Sequence, residues 1–187
     1  MFAGLATPPL ETSRLLLRPA ALDDAGQLQA TFPQWDIVRY LSKEVPWPYP
    51  ADGALTYIRD VALPAMEAGT LWMWTIRLKS EPDRIIGAID LKVSADENRG
   101  FWIAPPWQGR GLVTEAANAV TDFWFDVLHQ PVLRVPKAAV NTPSRRVSEK
   151  QGMRIVATEE RDYVGGRMAV EIWQITADEW HARRRRT

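Results

Sequence analysis

Two glycines and an arginine stand at the start of a predicted helix, in the segment APPWQGRGLVTEA at residues 104–116. The first N–H groups of a helix have no partner within the helix, and their partial positive charge favours a phosphate. Gly109 and Gly111 let the backbone approach a ligand closely, and Arg110 can add a charged contact. The segment therefore predicts a phosphate or pyrophosphate site held mainly by main chain.

Two well-known phosphate-binding patterns do not match this segment. The P-loop pattern G-x-x-x-x-G-K-[ST] is absent from the chain. The dinucleotide fingerprint G-x-G-x-x-G fails because Thr114 stands where the third glycine belongs. At this point a tight glycine turn without any ligand stays open as the alternative.

The elements around this segment are predicted in the order β, α, α, β, β, β, α, β, α, β, β. The first strand is Arg14 to Ala20, three strands from Leu71 to Ala104 form a meander, and the last two are joined at Gly165 and Gly166. One strand–helix–strand crossover follows the meander, so neither an all-parallel wound sheet nor a sandwich fits well. Pro136 removes a ladder donor from its strand, which must therefore lie at a sheet edge or carry a bulge.

The composition bounds the class of protein. The 187 residues suit one domain, which we place at residues 1–180, and 23 basic against 23 acidic residues imply no general affinity for nucleic acid or an anionic membrane. There is no cysteine, which excludes disulfides and a thiolate nucleophile and is compatible with a cytoplasmic protein. The basic stretch 181–187 holds four consecutive arginines, which repel one another. We predict a disordered tail there, with a nucleic-acid contact as the alternative.

Four phrases of the chain resemble the GNAT superfamily of N-acetyltransferases, and especially its RimJ/RimL-like subgroup, the ribosomal-protein N-terminal acetyltransferases. They follow in the family's order over residues 11 to 180. The resemblance implies a mixed α/β fold with a mostly antiparallel sheet of about six to seven strands and about four helices. Its fourth and fifth strands splay apart to admit the cofactor. The phrases are ETSRLLLRP at 11–19, GFWI at 100–103, QGRGLVTEA at 108–116 and NTPSRRVSEKQGM at 141–153.

The resemblance implies an enzyme that moves an acetyl group from acetyl-CoA to an amine by direct attack on the thioester. The acceptor would be a protein N-terminus or a small-molecule amine, and the enzyme a monomer or homodimer without a metal. A backbone N–H of the fourth strand would face the thioester carbonyl. Asn141 can equally be a helix N-cap. The implied cofactor-binding residues are Trp102, Ile103, Gln108, Gly109, Arg110, Gly111, Leu112, Val113, Thr114, Asn141 and Ser144.

Proton transfer needs an acid for the leaving thiolate and a base for the amine. Many relatives carry a tyrosine seven residues after the asparagine, and Ser148 holds that position here, with Ser144 as the other hydroxyl candidate. For both serines the alternative is a helix cap or a surface position. Glu97 and Asp90 are the candidate bases, with solvated or paired carboxylates as the alternative. An α-amine has a pKa of about 8, so part of it is already neutral near neutral pH, whereas lysine has a pKa of about 10.4 and needs a base. The lack of an obvious base therefore favours an α-amine or a small-molecule amine.

An irregular aromatic segment, Phe32 to Tyr49, and the hairpin around Tyr163 are expected to build the acceptor pocket. Its aromatic rings would clasp an apolar, aromatic or cationic acceptor, and a packed lid is the alternative. A second function also stays open. Val113 replaces the family's small residue and the tyrosine is missing, as in a degenerate acyl-CoA-binding protein without catalysis. The predicted acceptor residues are Trp35, Trp47, Tyr49, Trp72 and Tyr163.

Overall fold

Two antiparallel sheets form the centre of the fold. A computed structural model describes residues 5–186. The larger sheet keeps its strands in sequence order. They are β1 (Leu10–Glu11), β2 (Leu15–Pro19), β3 (Leu71–Leu78), β4 (Gly87–Lys92) and β5 (Arg99–Ile103). The smaller sheet has β8 (Gly166–Thr176) between β6 (Val132–Ala138) and β7 (Arg154–Tyr163).

Helices cover the sheets and match the predicted order, with two additions. The predicted second helix is one continuous run in which a π-helical turn, Ile58–Ala62, precedes Pro64 and takes up the break that proline causes. A short helix at Trp35–Val38 and a C-terminal helix at Ala177–Arg184 were not predicted. The helices are α1 (Ala25–Thr31), α2 (Trp35–Val38), α3 (Gly53–Tyr57), α4 (Leu63–Glu67), α5 (Leu112–Asp122), α6 (Thr142–Lys150) and α7 (Ala177–Arg184). The predicted mixed α/β class is confirmed.

The larger sheet buries both of its faces. One face carries Trp72, Trp74 and Ile89 against α5 and its continuation, the turn Phe123–Val127. The opposite face packs on α1, α3 and α4 and includes Trp102 at its edge. Two buried faces explain why every residue of β3 except the last is buried.

A splay between β5 and β6 divides the two sheets. The strands are joined near the start of β5, where the Asn98 backbone N–H donates to the Arg134 carbonyl at 2.8 Å and the Arg134 N–H donates to Asn98 Oδ1 at 2.8 Å. Beyond Asn98 they belong to different sheets. β5 and β6 are the fourth and fifth strands of the resemblance, because the two-residue β1 adds one to the count. The implied splay is thus confirmed, and Pro136 lies on an edge strand as its missing N–H requires.

Two local predictions at the end of the chain are wrong. Tyr163 pairs with Gly166, so the turn residues of the last hairpin are Val164 and Gly165, one position earlier than expected. The tail expected to be disordered from His181 is helical to Arg184, because a Thr176–Glu179 capping box starts α7. Thr187 lies outside the described residues.

Acidic side chains of the α5 region hold this C-terminal helix in place. Arg184 Nη1 lies 3.0 Å from Asp122 Oδ1 and 2.7 Å from Asp126 Oδ2, so one of the four arginines is neutralised. Trp180 is buried, and its Nε1–H donates to Asp122 at 2.8 Å. Within residues 5–186 no helix is long and apolar enough to span a membrane.

Candidate functional site

The glycine segment forms a loop whose backbone is open above the start of α5. Gly109 and Gly111 have φ values of +73° and +76°, a left-handed conformation that glycine adopts without strain. Gly111 is the N-cap, and no side chain caps α5. A Cβ at Gly109 would have no atom within 4 Å, and one at Gly111 would meet only the Arg14 guanidinium at 3.6 Å. This open, uncapped helix start fits a pyrophosphate.

Glu115, in the first turn of α5, ties this loop to the chain before β2. Its Oε1 accepts from the Ser13 hydroxyl at 3.0 Å and from the Arg14 N–H at 2.8 Å, and Thr12 also donates to it. Arg14 Nε donates to Oε2 at 2.7 Å, and Arg14 Nη1 donates to the Arg110 carbonyl at 3.1 Å. Burial raises the pKa of Glu115, but these donors outweigh it and leave the pKa below its usual value.

Further groups fix the loop and add positive charge. Gln108 Nε2 donates to the Ile103 carbonyl at 3.1 Å, which joins the loop to the end of β5. Arg110 stacks over Trp107 at 5.0 Å, and Arg84 stacks on the same ring at 5.3 Å. Arg84 was missed from the sequence because it stands 26 residues before Arg110, a separation that the pairing of β4 with β5, Gly87 opposite Ile103, closes. The predicted residues Leu112, Val113 and Thr114 form the first turn of α5.

The hydroxyl candidates lie on α6, in different surroundings. Asn141 is the N-cap, since its Oδ1 accepts from the Ser144 N–H at 3.3 Å. Ser144 is half-buried in the first turn. Ser148 is fully buried, and its Oγ is a hydroxyl without a hydrogen-bond partner among residues 5–186. Neither alternative for Ser148, a cap or a surface position, describes where it lies.

The two candidate carboxylates differ in burial and pairing. Glu97 is 45% exposed and forms an ion pair with Lys92 at 3.1 Å. Asp90 is half-buried and pairs in register with Gly100, on the face of the sheet that carries Trp102. Burial raises the pKa of Asp90, and the charge of Lys92 only partly opposes this. Asp90 therefore has the more base-like environment of the two.

The aromatic segment and the last hairpin are brought together, as the acceptor-pocket prediction requires. The Gly165 N–H donates to the Arg39 carbonyl at 3.0 Å, and the Val164 N–H donates to the Leu41 carbonyl at 2.9 Å. Ser42 and Tyr163 form a β-bridge beside these bonds. The segment around Ser42 and the hairpin thus form one continuous wall.

Aromatic rings line this side of the sheet in two groups. Trp35 and Trp47 are exposed and lie 5.7 Å apart between ring centroids. Phe32 packs between Tyr49 at 5.1 Å and Trp102 at 5.4 Å. Trp72 is different, because it is fully buried on the opposite face against Phe123 at 6.2 Å. Its prediction as an acceptor residue is wrong.

Tyr57, at the end of α3, joins the second group and was missed from the sequence. Burial, with the charge of Asp90 and the nearness of Tyr49, raises the pKa of Tyr57 to about 12. Tyr57 is 41% exposed, and Asp90 and Tyr49 both lie close enough to it to raise its pKa. The signal in the sequence was weak, because Tyr57 stands in a helix outside the aromatic segment.

Comparisons with known proteins agree with this architecture. The family model described as "Acetyltransferase (GNAT) domain" matches residues 14–154. No curated protein matches the chain in sequence. Among solved structures, a ribosomal-protein-S5-alanine acetyltransferase from Vibrio fischeri superposes with a TM-score of 0.79 at 15% identity, covering 92% of this chain and 98% of its own.

Two further solved structures were determined with ligands. The RimL ribosomal L7/L12 alpha-N-protein acetyltransferase in complex with coenzyme A has a TM-score of 0.77 at 14% identity, with 92% of this chain and 99% of that chain covered. The microcin C7 self-immunity acetyltransferase MccE, in complex with acetyl-CoA and AMP, has a TM-score of 0.74 at 14% identity and coverages of 88% and 93%.

Proposed function

Because the chain belongs to the GNAT acetyltransferase family, we propose that it transfers an acetyl group from acetyl-CoA to a primary amine. The observation that carries the proposal is the uncapped start of α5 behind two left-handed glycines, at the open end of the splay between β5 and β6. The solved RimL and MccE structures hold coenzyme A and acetyl-CoA. This supports the same ligand here.

The chain's own groups divide into those that hold the donor and those that polarise it. The loop from Gln108 to Thr114 would hold the pyrophosphate through backbone N–H groups, with Arg110 and Arg84 beside it. Bound acetyl-CoA supplies the activated acyl group as a thioester. Among the described strands β5 pairs only with β4, so every second N–H of β5 faces the splay. One of the two neighbouring N–H groups of Trp102 and Ile103 can therefore donate to a carbonyl oxygen there.

Asp90 is the base that we propose for the amine. It lies on the face of the sheet that carries the aromatic groups, and its raised pKa suits proton acceptance better than an exposed, ion-paired carboxylate does. Tyr57 is exposed and lies close enough to Asp90 for that carboxylate to raise its pKa, so its ring can favour a cationic amine before deprotonation. Ser148 or Ser144 is proposed to donate a proton or hydrogen bond to the leaving thiolate.

The acceptor class is supported in two directions. The Vibrio fischeri and RimL structures are named for ribosomal-protein substrates, and a protein N-terminal α-amine is the acceptor that we propose first. MccE is named as an acetyltransferase of microcin immunity, which keeps a small-molecule amine as the second acceptor. We propose that the wall formed by the chain around Ser42 and the last hairpin binds either an extended peptide or a small molecule.

Release of coenzyme A thiol from acetyl-CoA tests the proposal. The protein is incubated with acetyl-CoA and either peptides with free N-termini or small primary amines, and the acetylated product is identified by mass spectrometry. We expect amine-dependent thiol release that Asp90→Asn lowers. Binding of acetyl-CoA without turnover of any amine would instead support the degenerate acyl-CoA-binding protein.

A further inference from the structure

Two buried cations lie in the splay between β5 and β6. Arg99, at the start of β5, is 3% exposed, and Lys137, near the end of β6, is 5% exposed. The Lys137 Nζ lies 4.2 Å from the centre of the Phe101 ring, so its side chain crosses the splay from β6 to β5. Among residues 5–186 neither cation forms an ion pair with a carboxylate.

The hydrogen-bonding capacity of this pair is largely unused. Arg99 Nη1 donates to Thr121 Oγ1 at 2.8 Å, but Arg99 Nε and Nη2 are buried without a partner among the described residues. Glu171 stands opposite Lys137 in the ladder, but its carboxylate accepts from Arg145 at 2.8 Å and from Trp173 at 3.1 Å. Buried polar groups are normally satisfied, and those left open point to a ligand.

Both cations lie on the side of the sheet from which the donor would enter. Arg99 bonds to Thr121 on α5, and Lys137 alternates along β6 with Leu133 and Val135, which pack in the core under α5. Asp90 and Trp102 lie on the opposite face. Arg99 follows Asn98, where the splay closes, and the glycine loop lies beyond Ile103, where it opens.

The charge of the pair selects among ligands. A neutral carbonyl would satisfy an N–H donor but would not offset the buried positive charge of Arg99, and a methyl group would do neither. The charge of Arg99 and the burial of Lys137 both lower the pKa of Lys137, with burial as the larger cause. A carboxylate satisfies the open donors of Arg99 bidentately and offsets its charge, and the same negative charge favours the protonated form of Lys137.

We propose that Arg99 and Lys137 form a carboxylate-binding subsite at the closed end of the splay, so that the protein accepts, besides acetyl-CoA, acyl-CoA donors whose short acyl chain ends in a carboxylate. The proposal rests on the proposed function. Monothioesters of short dicarboxylic acids are the chemical class. Transfer of such a group breaks the thioester C–S bond and forms an amide C–N bond, and the proton lost by the amine ends on the coenzyme A thiol.

Calorimetric titration with two unreactive thioethers of coenzyme A tests the subsite without an acceptor amine. S-(3-carboxypropyl)-CoA and S-butyl-CoA differ only in the end of the chain, where one has a carboxylate and the other a methyl. We expect the carboxylated thioether to bind the wild-type protein about 10- to 100-fold more tightly, the range of a charge-assisted hydrogen bond. Equal affinities would overturn the proposal.

Substitutions assign the preference to these side chains. Arg99→Met and Lys137→Met keep the bulk and remove the charge, and each is expected to bring the affinity ratio close to one. Lys79→Met, at an exposed lysine paired with Glu11, is the control and should keep the wild-type ratio. A preference that survives in both methionine variants would contradict the assignment. If a methionine variant does not fold, Arg99→Gln or Lys137→Gln replaces it at the same position in the same titration.

Titration with unmodified coenzyme A distinguishes failure of the carboxylate subsite from failure of the proposed function. Binding of coenzyme A with no preference between the thioethers would reject the carboxylate subsite and leave the proposed function in place. No binding of coenzyme A, or of either thioether, would reject both. Preference for the carboxylated thioether that depends on Arg99 and Lys137 would support both.

Discussion

At the scale of single residues, one carboxylate connects two phrases that are far apart in the chain. Glu115 follows the glycines in sequence, and its partners Thr12 to Arg14 belong to the phrase before β2. The sequence suggested only that both phrases matter. Their contact explains why, since Glu115 holds Arg14, and Arg14 in turn holds the backbone of the loop at Arg110.

Substituting Glu115 should therefore destabilise the fold. Glu115→Gln removes a charge that several donors converge on, and we expect the free energy of unfolding to fall by about 2 kcal/mol at pH 7. The folded-state pKa of Glu115 lies below its unfolded value. Its stabilisation is therefore present above the unfolded pKa and is lost as the pH falls through the folded pKa.

Urea denaturation at pH 7 and at stepwise lower pH measures this effect. The wild-type protein should lose more stability on acidification than Glu115→Gln does, because the variant lacks the titrating group. Glu67→Gln, at an exposed position of α4, is the control and should behave as wild type. Parallel pH curves for wild type and Glu115→Gln would refute the assignment.

Asp90 and Glu97 make opposite predictions for the chemistry. If Asp90 is the base, Asp90→Asn should lower kcat by about 100-fold or more, while the affinity for coenzyme A stays within about twofold. Glu97→Gln should change kcat by much less, because Glu97 is exposed and paired with Lys92. Steady-state kinetics of both variants decide between them, and the reverse order of effects would assign the base to Glu97.

At the scale of elements, the hairpin between β7 and β8 is positioned by backbone contact with the aromatic segment. A Cβ at Gly165 would lie 2.7 Å from the Arg39 carbonyl oxygen, a distance that no side chain tolerates. A substitution there must separate the hairpin from the segment. The consequence should appear at the acceptor and not at the glycine loop, which follows the end of β5 at Ile103.

Gly165→Val should therefore raise KM for the acceptor several-fold and leave the affinity for coenzyme A unchanged. Trp47→Ala should act in the same direction by removing an exposed ring of the pair with Trp35. Gly26→Val, at an exposed position of α1 with open space around it, is the control. Equal loss of acceptor and coenzyme A binding would count against a separate acceptor wall.

Local patterns predicted most elements but failed where tertiary burial decides. The hairpins and α5 follow from periodicity and turn residues, and they appear nearly where expected. Trp72 was misplaced because β3 is buried on both faces, so that alternation in its sequence does not mark an inner and an outer side. The pair of Arg99 and Lys137 could not be predicted, because it depends on how two strands of different sheets align across the splay.

At the scale of the whole molecule, the C-terminal helix is part of the fold and not an appendage. The row of arginines suggested disorder, but the capping box before it and the acidic end of α5 order the chain to Arg184. Repulsion within a run of like charges is offset where opposite charges face it. A nucleic-acid contact by this region stays a prediction, with fewer free cations than the sequence implied.

Substitution of Trp180 tests how much the packing of α7 contributes to the stability of the fold. Trp180→Ala removes a buried ring and its hydrogen bond to Asp122, and we expect a loss of about 3–5 kcal/mol in the free energy of unfolding. Thermal denaturation should show a single transition at lower temperature. A separate early transition for α7, with the main one unchanged, would mean that the helix folds independently.

We propose that the loop between Gln108 and Thr114 holds the pyrophosphate of coenzyme A, and calorimetric titration with acetyl-CoA decides whether it does. We expect the wild-type protein to bind and Gly111→Glu, which adds a side chain and a negative charge at a left-handed position, to lose binding while it stays folded. Gly26→Glu should bind as wild type. No binding by the wild-type protein, or undiminished binding by folded Gly111→Glu, would contradict the account.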